Sequence, residues 1–135
     1  MSKKNFLPVA LSVILLLYGC KRKSIYEQIE QEAIRYTQEQ CPKQVDRCTR
    51  MDSTTFNTIT YTYYYNYTVT DMLDNDSIFT GSTRQTLNNA LLEEIRTSIA
   101  LKTYKDCGIT LSYRYYSATS GELLAEFLFT KEDYE

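Results

Sequence analysis

The chain has 135 residues, of which 43% are hydrophobic and 24% charged, a composition typical of one globular domain. All seventeen acidic residues follow Ser24, whereas five of the fifteen basic residues precede it, so the body of the chain is acidic. This balance argues against a nucleic-acid partner, because neutralising phosphates requires clustered lysines and arginines. The chain has no histidine and no tryptophan, and its thirteen tyrosines are the compositional excess.

An apolar run from Phe6 to Gly19 lies between basic residues near the start of the chain, with Lys3 and Lys4 before it. A helix that crosses a bilayer needs about 20 residues, so this run is too short to span one. Its length and the preceding lysines are typical of the hydrophobic region of an export signal.

The run ends in Leu17-Tyr18-Gly19-Cys20, which resembles the lipobox of bacterial lipoproteins: Leu, a variable residue, Gly or Ala, and Cys. The resemblance implies that residues 1–19 are a signal peptide and that Cys20 becomes the first residue, carrying a diacylglycerol and an acyl chain such as palmitate. Tyr18 is larger than the residue usual at its position. The protein is therefore expected in the cell envelope, lipid-anchored to a bacterial membrane and facing the periplasm or the cell surface.

A basic linker, residues 20–23, follows the cleavage site. Lys21, Arg22 and Lys23 would lie at the lipid headgroups, where each contributes about 1 kcal/mol on an anionic surface. The alternative is that these charges only keep a linker soluble.

The first helix is predicted from the capping box Ser24-Ile25-Tyr26-Glu27. Ile29, Ala33 and Tyr36 continue the apolar face at helical spacing. Pro42 requires the helix to end before it.

Three cysteines remain if Cys20 is lipidated: Cys41, Cys48 and Cys107. In an oxidising compartment an odd number predicts one disulfide and one free thiol, and all three pairings stay open. A catalytic thiol is disfavoured because no histidine can activate it. The cysteine spacing matches no zinc site, so we expect no metal and no cofactor.

The clearest strand runs from Ile59 to Thr70, after a short extended segment from Met51 to Phe56. Its residues alternate with period two and have high strand propensity. The odd positions, expected to form the packed face, are mostly tyrosines. Two interpretations stay open: these tyrosines belong to a half-buried sheet, or they form a strip that binds sugar rings or the aliphatic surface of a partner. The strip comprises Tyr61, Tyr63, Tyr65 and Tyr67.

The polar loop from Asp71 to Gly81 does not match a calcium-binding loop, because Ile78 and Phe79 occupy positions that need a ligand and a glycine. Ser77 in this loop and Ser53 upstream each lie in an Asp-Ser-apolar or Asp-Ser-Thr triplet. These triplets resemble an O-glycosylation sequon of exported bacterial proteins, and we keep both serines as candidate sites.

A second helix is predicted from Thr83 to Ile99, with a further turn stopped by Gly108. Alternating residues then predict two strands, 109–116 and 123–130, joined as a hairpin. The last five residues are expected to be exposed.

Residues 24–135 therefore form a single α+β domain of order α-β-β-α-β-β, an antiparallel sheet with helices packed on one face. The mature part resembles small bacterial envelope lipoproteins. The motifs that carry the resemblance are Cys41-Pro42, Asp52-Ser53, Gly108-Ile109-Thr110, Tyr113-Arg114-Tyr115-Tyr116 and Gly121. They imply a fold and a location, and no residue among them carries a known reaction.

The functional prediction is a membrane-anchored, non-enzymatic module that binds a protein or glycan partner. The alternative is an assembly or inhibitory lipoprotein that shields one envelope protein, for example by adding a strand at the sheet edge. An enzyme is disfavoured because the acidic residues are scattered and no nucleophile–base set is present.

Overall fold

The computed structural model describes residues 23–135. Within this range the chain forms four helices and five strands, with two short 3-10 turns between β3 and α2 (Asp71–Leu73 and Asp76–Phe79). The elements in chain order are α1 (Ile25–Gln40), β1 (Lys43–Asp46), β2 (Thr49–Asn57), β3 (Thr62–Val69), α2 (Gly81–Thr97), α3 (Lys102–Asp106), β4 (Thr110–Ser117), β5 (Leu123–Phe129) and α4 (Lys131–Tyr134).

The strands form one sheet in the order β1-β2-β3-β4-β5. The predicted α+β class is confirmed, but one strand pair departs from the expected antiparallel sheet. β3 and β4 are parallel, with Thr62 beside Thr110 and Val69 beside Ser117. The reason is the α2–α3 crossover, which returns the chain to the end of the sheet where β3 began.

The start of α1 follows the predicted capping box. The Glu27 N–H donates to Ser24 Oγ, and the Ser24 N–H donates to Glu27 Oε2, both at 3.2 Å. The helix ends at Gln40, ahead of Pro42, and buries Ile29 and Ala33 against the sheet.

Two strand boundaries differ from the prediction. Residues 43–46, for which the sequence predicted no regular element, form β1 and pair with the start of β2. Asp46 Oδ1 accepts the Cys48 N–H at 2.8 Å and thereby fixes the turn between them. β3 begins at Thr62 rather than Ile59, because residues 58–61 turn the chain out of β2.

The last five residues are exposed, as predicted, except for Tyr134. Residues Lys131–Tyr134 form α4, which begins with a capping box between Thr130 and Asp133. The buried Tyr134 hydroxyl donates to the Ile109 carbonyl at 2.8 Å. This bond fastens the last helix to the start of β4.

Candidate partner-binding groove

A ladder of stacked tyrosines lies on the helix-covered face of the two central strands. The parallel register places Tyr65 beside Tyr113 and Tyr67 beside Tyr115. The ring centroids of these pairs are 4.8 Å and 5.0 Å apart, with interplanar angles of 21° and 14°. Offset stacked rings attract one another beyond the apolar area they bury, so the ladder stiffens the centre of the sheet.

The helices leave part of this ladder uncovered. α1 packs on β2, whereas α2 packs on α4 and on the second 3-10 turn, and among the described residues α1 and α2 do not pack extensively against each other. A groove of about 480 Å³ opens between α2 and the β1–β2 end of the sheet, where Val45, Asp46 and Thr49 line it. Tyr67, Tyr113 and Tyr115 form its floor, and Leu87 and Leu91 of α2 form one wall.

The hydroxyls of these floor tyrosines face the groove. The rings of Tyr67, Tyr113 and Tyr115 are buried, yet their hydroxyls have no hydrogen-bond partner among the described residues. In the described part of the chain, every fully buried side-chain oxygen or nitrogen has a hydrogen-bond partner. These three hydroxyl oxygens have none, so they must be open to solvent. The groove therefore presents an aromatic floor with exposed hydrogen-bonding groups.

The groove is acidic at its rim. Asp46 and Glu94 line it, and its lining includes no lysine or arginine. Burial raises the pKa of Tyr115 to about 12, and the negative charge of Glu94 adds to this effect. Burial likewise raises the pKa of Tyr67 and Tyr113. At neutral pH these tyrosines are uncharged, so the acidic character of the groove comes from Asp46 and Glu94. The site therefore suits an apolar ligand that carries positive charge.

The predicted tyrosine strip divides among three places. Tyr67 lies in the groove, while Tyr63 and Tyr65 line an adjoining recess of about 220 Å³ beside Leu101. Tyr61 lies in the β2–β3 turn and packs against Tyr26 instead, with ring centroids 4.4 Å apart.

Two groove residues were not predicted as binding residues from the sequence. Tyr113 and Tyr115 were assigned to a strand, but their position beside β3 depends on the parallel pairing. The signal available was the shared Tyr-x-Tyr spacing of residues 65–67 and 113–115.

The face of the sheet opposite the groove is polar. Arg114 lies over the Tyr64 ring, its Cζ 4.0 Å from the ring centroid, and its Nε lies 3.3 Å from Glu126 Oε1. Ser112 Oγ donates to the same carboxylate oxygen at 2.7 Å. Arg114 and Ser112 thus pair with Glu126, so these groups of the face are already engaged within the protein.

The structure does not contain the expected disulfide: Cys41, Cys48 and Cys107 are all unpaired. Cys107 precedes β4 at the opposite end of the sheet from Cys48. A bridge requires Cα atoms within about 7 Å, so the Cys48–Cys107 pairing does not fit this backbone.

The two candidate glycosylation serines differ in exposure. Ser77 is exposed, and its hydroxyl donates to Asn75 Oδ1 at 2.9 Å. Ser53 is half-buried and accepts from Asn66 Nδ2 at 3.1 Å. Ser77 is thus the more accessible of the two. In residues 23–135 no group of three acidic or cysteine side chains is placed to hold a metal ion.

The lipobox residues Leu17 and Gly19, the lipidation site Cys20, and the basic residues Lys21 and Arg22 lie outside the described residues. Lys23 is described and exposed. From residue 23 onward, no helix has both the length and the apolar character needed to cross a bilayer.

Three solved structures have a similar overall fold. A Pseudomonas aeruginosa protein described as secreted is 10% identical, with a TM-score of 0.66 over 84% of this chain and 100% of that chain. The pilotin EpsS of the Vibrio vulnificus type 2 secretion system is 9% identical, with a TM-score of 0.58 over 82% and 91% of the two chains. The pilotin AspS of the Vibrio cholerae type II secretion system is 18% identical, with a TM-score of 0.56 over 80% and 90%. At these identities the likeness establishes the fold alone.

The chain itself belongs to the family described as a domain of unknown function (DUF8479), whose model matches residues 24–125. No curated protein matches the chain. The matched region begins at the N-cap of α1 and ends within β5, so it contains the groove.

Proposed function

We propose that the protein is a lipid-anchored, non-enzymatic module of the bacterial cell envelope that binds a partner protein in the tyrosine-floored groove. The observation that carries this proposal is the opening between α2 and the β1–β2 end of the sheet, above Tyr67, Tyr113 and Tyr115. Similarity in fold to two pilotins and to a protein described as secreted supports an exported, partner-binding role.

The chemistry of the groove favours a protein over a glycan. Its lining is largely apolar, with Leu87, Leu91 and Val69 beside the tyrosine rings. A sugar needs many directed hydrogen bonds, whereas an amphipathic segment of a protein needs an apolar surface and matching charges at the rim. Asp46 and Glu94 would pair with basic residues that flank the apolar face of such a segment.

The alternative, a shielding lipoprotein that adds a strand at the sheet edge, has less structural support. On the edge of β2 that β1 leaves free, the Thr37 hydroxyl of α1 binds both backbone groups of Thr54, at 2.8 Å and 2.9 Å. On β5, the Arg84 guanidinium donates a hydrogen bond to the Glu126 carbonyl. Both edges are therefore partly capped by side chains from the helices.

A photo-crosslinking amino acid at Thr86, which is exposed and lines the groove, tests the proposal in native envelopes. We expect one protease-sensitive adduct that is lost when Ala90→Trp fills the groove. The matched control carries the crosslinker at Thr55, exposed on the polar face. Adducts that are equal at both positions, or indifferent to Ala90→Trp, contradict the groove, and a protease-resistant but glycosidase-sensitive adduct points to a glycan.

The anchor is tested separately by mass spectrometry of the mature N-terminus. We expect a peptide that begins at Cys20 and carries a diacylglycerol and an acyl chain. In a Cys20→Ser variant the membrane fraction should lose the processed protein. An unmodified N-terminal peptide from the native protein refutes the lipoprotein assignment.

A further inference from the structure

The β2–β3 turn exposes one aliphatic side chain, that of Ile59, to solvent. Asn57 Oδ1 accepts the N–H groups of Ile59 and Thr60 at 2.8 Å and 3.0 Å, which fixes the shape of the turn. Ile59 at its tip is 87% exposed. Turns usually carry Gly, Asn, Asp or Pro, and a fully exposed isoleucine contributes nothing to the packing of this domain.

Tyr61 completes the turn in a backbone conformation that is unfavourable for tyrosine. Its φ is 53°, in the left-handed region that glycine normally occupies, and its side chain is 45% exposed. Its ring packs against Tyr26 in the first turn of α1, with the centroids 4.4 Å apart and the ring planes tilted by 41°. Strained residues of this kind tend to occur at functional sites. This packing holds the turn beside the start of α1, where Ile25 is also 40% exposed.

This end of the domain is the end nearest to Cys20. Ile25 is five residues after Cys20, and five residues span at most about 18 Å when fully extended. If Cys20 carries lipid, as the proposed function requires, the start of α1 must lie within that distance of the bilayer, with the adjoining turn beside it.

We infer that Ile25, Ile59 and Tyr61 form a membrane-contacting patch that inserts at the headgroup–acyl boundary of an anionic bilayer. Aliphatic side chains bind this boundary by burying apolar surface, and tyrosine favours it because its ring is apolar and its hydroxyl polar. The neighbouring Lys21, Arg22 and Lys23 add attraction to anionic lipids.

Two carboxylates lie near the patch and would oppose an anionic surface. The Glu27 carboxylate is engaged in the capping box with Ser24. Glu30 lines the recess beside the turn together with Arg114, whose positive charge offsets it. The three consecutive basic residues next to the anchor outnumber these two acids.

This contact would orient the groove away from the lipid. The patch lies before the start of β3 at Thr62, whereas Tyr67 is five residues further along the strand, about 17 Å away. The groove would stand clear of the headgroups and stay open to a partner.

Because the chain has no tryptophan, a single introduced one reports on this contact. The test variant is Ile59→Trp. The matched control is Met72→Trp, which is 72% exposed but lies just beyond the other end of β3, about 23 Å from Thr62. Both are purified as the lipidated full-length protein and reconstituted in vesicles of phosphatidylethanolamine and phosphatidylglycerol with brominated acyl chains.

We expect Ile59→Trp to lose most of its emission to the bromines and Met72→Trp to keep its emission. Replacing phosphatidylglycerol with phosphatidylcholine should weaken the quenching, because the basic residues then lose their anionic partners. Co-flotation with the vesicles measures anchoring independently. A protein that co-floats with equal emission from both tryptophans overturns the membrane-contacting patch but leaves the anchor intact. A protein that does not co-float overturns the anchor and the patch together.

Discussion

Arg84 in α2 caps the outer edge of the sheet at Glu126. Its Nη2 donates to the Glu126 carbonyl at 2.9 Å, while its Cζ lies 4.5 Å from the centroid of the Phe127 ring. An edge carbonyl occupied in this way cannot pair with a strand from another molecule. One side chain thus joins α2 to β5 and protects that edge.

Arg84→Met should lower the free energy of unfolding by about 1–3 kcal/mol, because it removes a charged hydrogen bond and a cation–π contact but keeps the apolar stem. We also expect more self-association through the uncapped edge. Urea unfolding and size-exclusion chromatography measure the two effects. Arg35→Met is the control, since Arg35 forms only an exposed ion pair with Glu32 and should cost about 0.5 kcal/mol or less. Equal losses in both variants contradict the capping role.

Thr37→Val should destabilise the protein by about 1–3 kcal/mol, because both backbone groups of Thr54 on the β2 edge lose their hydroxyl partner. Thr97→Val is the control: its hydroxyl donates only within its own helix, to the Glu93 and Glu94 carbonyls. Denaturant unfolding compares the two variants. A Thr37→Val protein as stable as Thr97→Val shows that water replaces the cap.

Stability should fall between pH 10 and 12 as the groove tyrosines ionise. The pKa of Tyr115 is raised by burial to about 12 in the folded protein, so the folded state holds its proton more tightly than the unfolded chain. The resulting stabilisation, about 3 kcal/mol, is present below pH 10 and is lost as the pH rises through the folded pKa. Urea unfolding at a series of pH values should show a smaller loss for Tyr115→Phe than for the exposed-site control Tyr61→Phe. A pH dependence that Tyr115→Phe leaves unchanged contradicts this origin.

The lipidated protein should contain three free thiols after denaturation without a reductant, because Cys41, Cys48 and Cys107 are all unpaired in the structure. In the native state Cys48 should react slowest with a thiol reagent, since it is the buried one. Mass spectrometry after alkylation identifies each cysteine. Finding one thiol instead of three would show that a disulfide forms and that this backbone changes to allow it.

The parts of the fold that were predictable from the sequence depend on local chemistry. The capping box at Ser24 and the proline at Pro42 bracket α1 because each acts within a few residues. The hairpin of β4 and β5 followed from alternation and from the turn at Gly121. These signals do not depend on the rest of the molecule.

The elements that were missed depend on contacts distant in sequence. All four residues of β1 are exposed, so its sequence lacks the apolar alternation that would predict a strand. The strand forms because its backbone pairs with β2. Tyr134 lies in a charged tail, yet it is buried because Ile109 offers a carbonyl. The groove was missed for the same reason. The tyrosine pattern of β3 was visible in the sequence, but Tyr113 and Tyr115 reach the same site only through the parallel pairing.

That parallel pair also bears on how the chain reaches its folded state. The β2–β3 and β4–β5 hairpins each join neighbouring segments, whereas β3 and β4 meet only after residues 70–109 have closed a long loop. Loop-closure entropy is lost before such a contact stabilises anything, so distant pairings slow folding. We expect the hairpins to form early and the joining of β3 to β4 to limit the rate. The tyrosine floor of the groove would then be among the last surfaces to assemble, and a partner present at that moment could accelerate folding by binding it.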